Sequence, residues 1–272
     1  MLEIDIFFVI SLLLFFTGFI SGILAGLFGI GGGILIVPVI YHLFNFLDFS
    51  ENISMHMAIG TSLATIILAS LNSVIEHKKR SCVDISLLDK WKYTILFGSL
   101  FGAVLAQLIE GKVLIILFAF FSFFVAIRMF FNKPYSNKTY NFLKSIQKII
   151  SFLIGTISSL LGIGGGTLSV PLLLSCGRNI KKAVGTSSGI GFFISLPATL
   201  IFLLAGLHIE DRPQYSIGFL SIIPFFLITL GTYVSVPMGV KIMHNFKNML
   251  IKRFFCLLLL ISALKMLRDL TV

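Results

Sequence analysis

Gly29-Ile30-Gly31-Gly32-Gly33, followed by Val37-Pro38, recurs as Gly162-Ile163-Gly164-Gly165-Gly166, followed by Val170-Pro171, every matched residue displaced by 133 positions. Gly22 and Gly155 keep that displacement, so the match extends ahead of the glycines. Downstream, Ala58-Ile59-Gly60-Thr61-Ser62 answers Ala183-Val184-Gly185-Thr186-Ser187 at a displacement of 125. The first half therefore has a connection eight residues longer, which the sequence assigns to Asp48–His56. A chain that repeats itself in this way is built from two like units.

Composition fixes the solvent. The chain is 57% hydrophobic and only 12% charged, against about 25% charged in a soluble domain. Long apolar runs separated by short polar joints mark an all-α polytopic membrane protein with no room for a soluble domain. The formal charge of +10 does not point to nucleic acid, because the basic residues are confined to a few connecting segments, as in loops on the cytoplasmic side. Glu3 and Asp5, with no basic residue before the first apolar run, are wrong for a cleavable signal peptide, so the first helix is expected to stay. Cys82, Cys176 and Cys256 form no CxxC pair and read as ordinary thiols rather than a metal or disulfide framework.

The spacing of polar joints predicts helices over about Ile4–Phe28, Ile34–Phe46, His56–His77, Trp91–Ile109 and from Lys112 to near Phe131. A polar bridge follows at 133–148, dividing a first repeat (1–132) from a second (149–272). There the order returns: Ile149–Leu161, a short arm Thr167–Cys176, then Lys182–Leu207, Tyr215–Val240 and Phe246–Leu270. The first arm, at about 13 residues, spans only ~20 Å of a ~30 Å hydrocarbon core. Each arm is a half-helix that either re-enters or makes a thinned crossing, giving about eight full spans plus the arms. Gly18, Gly22 and Gly26, and again Gly98 and Gly102, recur every four residues, small-residue stripes that admit a close helix and would allow a homodimer.

Five segments per half is an odd number, so the second copy enters from the opposite side. With Asp48–Glu51 outside, segments 78–92, 133–148, 178–182 and 241–253 fall inside and hold 16 of the 21 Lys and Arg. That separation predicts two homologous inverted repeats with both termini outside.

Contiguous glycines within a membrane expose backbone groups that only protein or a water-lined cavity can satisfy. One reading makes each run a breakpoint at which a short arm aims free N–H groups and its positive dipole end at a central anion. Gly29, Gly31, Gly32 and Gly33 would form one side of the site, and Gly162, Gly164, Gly165, Gly166 and Thr167 the other. The other reading is tight packing alone, which explains duplicated contiguous runs poorly. Thr61, Ser62, Thr186 and Ser187 open the third helix of each half; they either cap or cross-link it, or donate to the anion. Asn72, Gln107, Ser158 and Ser159 are weaker candidates of the same kind. Glu76 and His77 sit near a helix end, where snorkelling or pairing with Lys78 or Lys79 is favoured over proton relay. His42 reads as a packed polar residue. No carboxylate pair and no metal spacing is present, so neither catalysis nor a cofactor is expected.

The doubled glycine phrase with its Val-Pro, and the Ala-x-Gly-Thr-Ser segments, resemble those of the sulfite exporter TauE/SafE family, also called the toluene sulfonate uptake permease superfamily, over essentially the whole chain. The resemblance implies a permease in a cell membrane, a prokaryotic plasma membrane in the first instance. Its substrate would be a small sulfur-containing anion such as sulfite or an organosulfonate, moved by alternating access, with H+ or Na+ as the coupling ion where there is one. An anion-selective channel and a non-transporting membrane partner are the alternatives. The lipid bilayer is the expected surrounding, and no nucleic-acid partner is expected.

Overall fold

A computed structural model describes residues 2–131 and 146–245, together with 257, 260–261 and 263–268 near the end. Its helices are α1 (Leu2–Phe28), α2 (Gly33–Phe46), α3 (Glu51–Lys78), α4 (Ile85–Leu108), α5 (Gly111–Phe131), α6 (Gln147–Leu160), α7 (Gly166–Ser175), α8 (Ile180–Ala205) and α9 (Ile222–Asn245). Between α8 and α9 lie a single 3-10 turn, Gly206–His208, and an antiparallel hairpin, β1 (Ser216–Ile217) with β2 (Leu220–Ser221). The hairpin was not expected; it occupies the stretch assigned above to the start of a helix at Tyr215. Most of the bridge at 133–148, Cys256 and most of the helix expected over Phe246–Leu270 lie outside the described residues.

By length and composition, Phe7–Phe28, Glu51–Lys78, Ile180–His208 and Ile222–His244 are long and apolar enough to cross a bilayer. Gly33–Phe46, Gly111–Ile127 and Gln147–Leu160 are shorter apolar helices. α4 is long but carries Asp89, Lys90 and Lys92 near its start. Large apolar side chains face outward, among them Phe97, Phe101, Leu200 and Leu204, a surface suited to acyl chains rather than water.

The packing is reciprocal between the halves. α1 lies along α9 and α4 along α6, while α3 and α8 cross at the centre and α2 and α7 rest on α3 and α8. Small residues bring these backbones together. A Cβ on Gly26 would come within 2.4 Å of the Val236 carbonyl oxygen, and one on Gly98 within 2.2 Å of the Phe152 carbonyl oxygen. The stripes Gly18-Gly22-Gly26 and Gly98-Gly102 are thus filled by the chain's own α9 and α6. This corrects the dimer expectation drawn from them: those faces are not open to a second copy.

The eight extra residues form no longer loop. α2 has 14 residues against 10 in α7. α3 begins four residues earlier, relative to its Gly-Thr-Ser segment, than α8 does. The reason is local. The Ser50 hydroxyl accepts from the Ile53 N–H with Glu51 in the first turn, which starts α3 at Glu51 rather than His56. In the second half Asn179 caps Lys182.

Candidate functional site

The two glycine runs meet in the buried centre. A Cβ on Gly164 would lie 1.9 Å from the Ile30 carbonyl oxygen and 3.0 Å from the Gly31 Cα. One on Gly166 would lie 2.1 Å from the Gly29 carbonyl oxygen, and one on Gly33 2.4 Å from that of Gly162. Only residues without side chains permit this approach, and Gly31 and Gly32 in addition hold φ of 74° and 82°, where a Cβ is strained. All eight of the glycines named as site candidates are buried.

From this junction the arms depart in succession. α2 starts from Gly32 and α7 from Gly165, and neither start has a side-chain cap. The first N–H groups of a helix have no partner within it, so each arm presents uncapped donors and a positive dipole end. Pro38 and Pro171 lie inside the arms. Proline lacks an N–H, so the carbonyls one turn back, on Ile34 and Thr167, lose their helical donor.

The Gly-Thr-Ser segments do not open their helices, as expected above; they lie inside α3 and α8 and hold the opposite half. The Ser62 hydroxyl donates to the Gly162 carbonyl at 2.8 Å, and the Ser187 hydroxyl to the Gly29 carbonyl at 2.8 Å. Thr61 accepts from the Ser221 N–H at 3.0 Å, at the head of α9. Thr186 accepts from the Asp84 N–H at 2.9 Å, at the head of α4. Gly60 gives the Phe219 carbonyl a notch and Gly185 does the same for Cys82, since a Cβ at either would lie 2.3 Å away. One triplet therefore does three jobs: glycine admits the neighbouring loop, threonine fixes the next helix start, and serine anchors the opposite glycine break. The hydroxyl protons of Ser62 and Ser187 are already donated within the protein.

Of the weaker candidates, Asn72 donates to the Tyr233 carbonyl and Gln107 to that of Ala103. Glu76 pairs with Lys79, as expected. His77 does not snorkel. It is fully buried, its Nε2 lies 3.0 Å from the Gly26 carbonyl oxygen, and its ring is 5.8 Å from that of His244.

Asp84 caps α4 and pairs with Arg178 at 2.7 Å. Burial pushes its carboxyl pKa up, but hydrogen bonds from the Ser86 hydroxyl and the Leu87 N–H, with the Arg178 and Lys182 charges, outweigh this and hold it below the ordinary value. Among the described residues no aspartate or glutamate is buried and no group of His, Cys, Asp and Glu has metal-binding geometry. Cys82 is a buried thiol outside any disulfide.

The chain is 29% identical over 260 residues to a probable membrane transporter protein of Haemophilus influenzae, covering 95% of this chain and 98% of that one. It is 29% identical over 245 residues to a probable membrane transporter protein of Methanocaldococcus jannaschii, covering 85% of each. Over 100 residues it is 30% identical to the sulfite exporter TauE/SafE family protein 6 of Arabidopsis thaliana, covering 37% of this chain and 22% of that one. No solved structure matches the chain. The family model for the sulfite exporter TauE/SafE matches residues 14–266. The chain is thus a multi-pass membrane protein belonging to the sulfite exporter TauE/SafE family, a family of transporters and not of enzymes.

Proposed function

We propose that the protein is a secondary transporter of small sulfur-containing anions, sulfite or organosulfonates, working by alternating access around the paired glycine breaks. The observation that carries this reading is the junction itself. Two uncapped arm starts meet backbone to backbone at the buried centre, and no buried carboxylate is described that would repel an anion. Gly29, Gly31, Gly32, Gly33, Gly162, Gly164, Gly165, Gly166 and Thr167 form the site in this reading. Thr61, Ser62, Thr186 and Ser187 hold it in shape.

Two inverted repeats, with the short arms at mid-membrane, are the architecture that reading requires. The reciprocal Ser62–Gly162 and Ser187–Gly29 bonds support it. So does the charge separation, read with both termini outside a plasma membrane. A coupling ion, H+ or Na+, would supply the driving force.

The test is thermal unfolding of the purified protein against sulfite, thiosulfate, sulfoacetate, taurine, sulfate and chloride. A ligand that binds only the folded state raises Tm. A rise with a sulfur oxyanion and none with chloride is the expected result; no rise with any sulfur anion would remove the substrate assignment.

A further inference from the structure

α3 carries a histidine near each end, and the two rings are served differently. Near its start His56 is only 3% exposed. Its Nδ1 lies 2.7 Å from the Asn52 carbonyl oxygen, one turn back on α3. Its Nε2 lies 2.9 Å from the Ala106 carbonyl oxygen, in the last turn of α4. A carbonyl oxygen only accepts, and a neutral imidazole has one N–H and one lone pair. Either neutral tautomer would therefore press a lone pair against one of the two oxygens. Only the imidazolium, with two N–H groups, makes both contacts hydrogen bonds.

The surroundings suit that cation. The Phe219 and Phe202 ring centroids stand 5.1 and 6.4 Å from that of the imidazole, and aromatic faces attract a positive charge. Gly60, one turn further along α3, gives the Phe219 backbone its place. Among the described residues no carboxylate forms an ion pair with His56. The charged groups on the elements around it are Asp48 and Glu51 ahead of and at the start of α3, Glu110 and Lys112 where α4 meets α5, and Glu210, Asp211 and Arg212 ahead of the hairpin. All but Glu51 and Arg212 are exposed. The other histidines of these elements are His42 on α2 and His208 in the 3-10 turn.

At the far end of the helix His77 has the arrangement of a neutral ring. Its Nε2 donates to the Gly26 carbonyl, and its Nδ1 is buried with no partner. Arg80 and Lys181 set fixed positive charges beside His77 and His244, and Glu76, the carboxylate there, is paired with Lys79. The halves differ in the same sense: at a displacement of 125, His56 matches Lys181 and His77 matches Phe202.

We propose that His56 is the site of the coupling proton. The inference rests on the transport reading above and narrows its coupling ion to H+, one per chain. The proton adds to the lone pair of the neutral ring, and no other bond changes. His56 lies six residues, about 9 Å along the helix, from Ser62, whose hydroxyl holds the second glycine break. A positive charge there favours an anion at the junction, and by linkage the anion favours the proton by the same factor. The proton also ties the start of α3 to the end of α4 through Ala106. When it leaves, a lone pair faces a carbonyl, the tie is lost and the two helix ends are free to part. Proton and anion thus move together.

Solid-state NMR of the full chain in lipid, labelled with 15N at histidine, reads the rings directly near neutral pH. One histidine is expected to show both nitrogens protonated and protected from exchange with water, and His56→Gln should remove that signal. Proteoliposomes with the membrane potential clamped at zero then read the coupling with sulfoacetate, whose acid groups stay ionised near neutral pH. One proton per anion should raise its accumulation about tenfold for each unit of acid-outside gradient. His56→Gln and His56→Lys should both lose that response, the second because lysine holds its proton throughout the range. Should one variant fail to fold, the other decides. A lone pair on every buried histidine, or a gradient response that survives in a folded variant, would overturn the proposal and leave the transport reading intact. No sulfoacetate flux by wild type at any gradient would instead remove the transport reading, and the coupling with it.

Discussion

At the first break Gly29, Gly31 and Gly32 take left-handed backbone angles, while in the second run only Gly162 does. Ile66 lies over the first run and Ile190 and Ile194 over the second, where Gly191 holds the position that matches Ile66; the arms that follow begin with Ile34 and Ile36 in one half and Thr167 and Ser169 in the other. Yet the bonds that fasten each break to the other half are matched atom for atom: serine hydroxyl to glycine carbonyl, 2.8 Å in both directions. The contacts that hold the two halves together are reciprocal, and the lining is not. Contacts that close the junction constrain both copies alike, because each half needs the other's clasp.

The largest effect that would break this comparison is expected at Gly164. A methyl there would meet the Ile30 carbonyl, backbone that cannot move aside, so Gly164→Ala should destabilise by roughly 3 kcal/mol or more. Its counterpart Gly31→Ala meets the Ile66 Cγ2 methyl at 2.9 Å, a side chain rather than backbone, and carries a left-handed penalty of about 1–2 kcal/mol. Thermal unfolding of both variants in detergent checks the order; a Gly164→Ala as stable as wild type would mean that the breaks do not touch.

The clasp comes next. Ser62→Ala and Ser187→Ala each leave a buried carbonyl without its donor and should destabilise by about 1–3 kcal/mol, and by equal amounts if the halves are held reciprocally. A loss at one serine and none at the other would end the reciprocity.

The smallest effect is the one place where the clasp is charged on one side only. Asp84 heads α4 with an ion pair to Arg178, whereas Ser221 heads the matching α9. The Asp84 pKa is lowered in the folded state, so its contribution is present above the ordinary carboxyl range and lost as pH falls through the lowered value. Asp84→Asn keeps a capping oxygen and should flatten that acid limb of Tm against pH, by less than about 1 kcal/mol, since Arg178 is partly exposed. An unchanged acid limb would show that another carboxylate sets it.

Much of the fold was legible because glycine runs and prolines act locally. The breaks and the short arms follow from residues that cannot continue a helix. What Gly-Thr-Ser does was not legible, because the partner of Ser62 lies a hundred positions away. The sequence can show a hydroxyl but not where its proton goes. Nor was the placing of the eight extra residues, which Ser50 and Asn179 decide as competing helix caps. The difference between Ile66 and Gly191 was visible in the aligned halves. Only the structure shows that the Ser70 hydroxyl takes up the room at Gly191, where a Cβ would lie 2.7 Å from it.

The central claim, an anion site at the glycine junction that alternates between the two sides, is tested most directly by counterflow of labelled sulfite in proteoliposomes. Saturable uptake accelerated by unlabelled sulfite inside the vesicles is the expected result, lost in Gly165→Val protein that still inserts and elutes as wild type does. Flux without acceleration by internal sulfite, or flux untouched by Gly165→Val, would contradict the account.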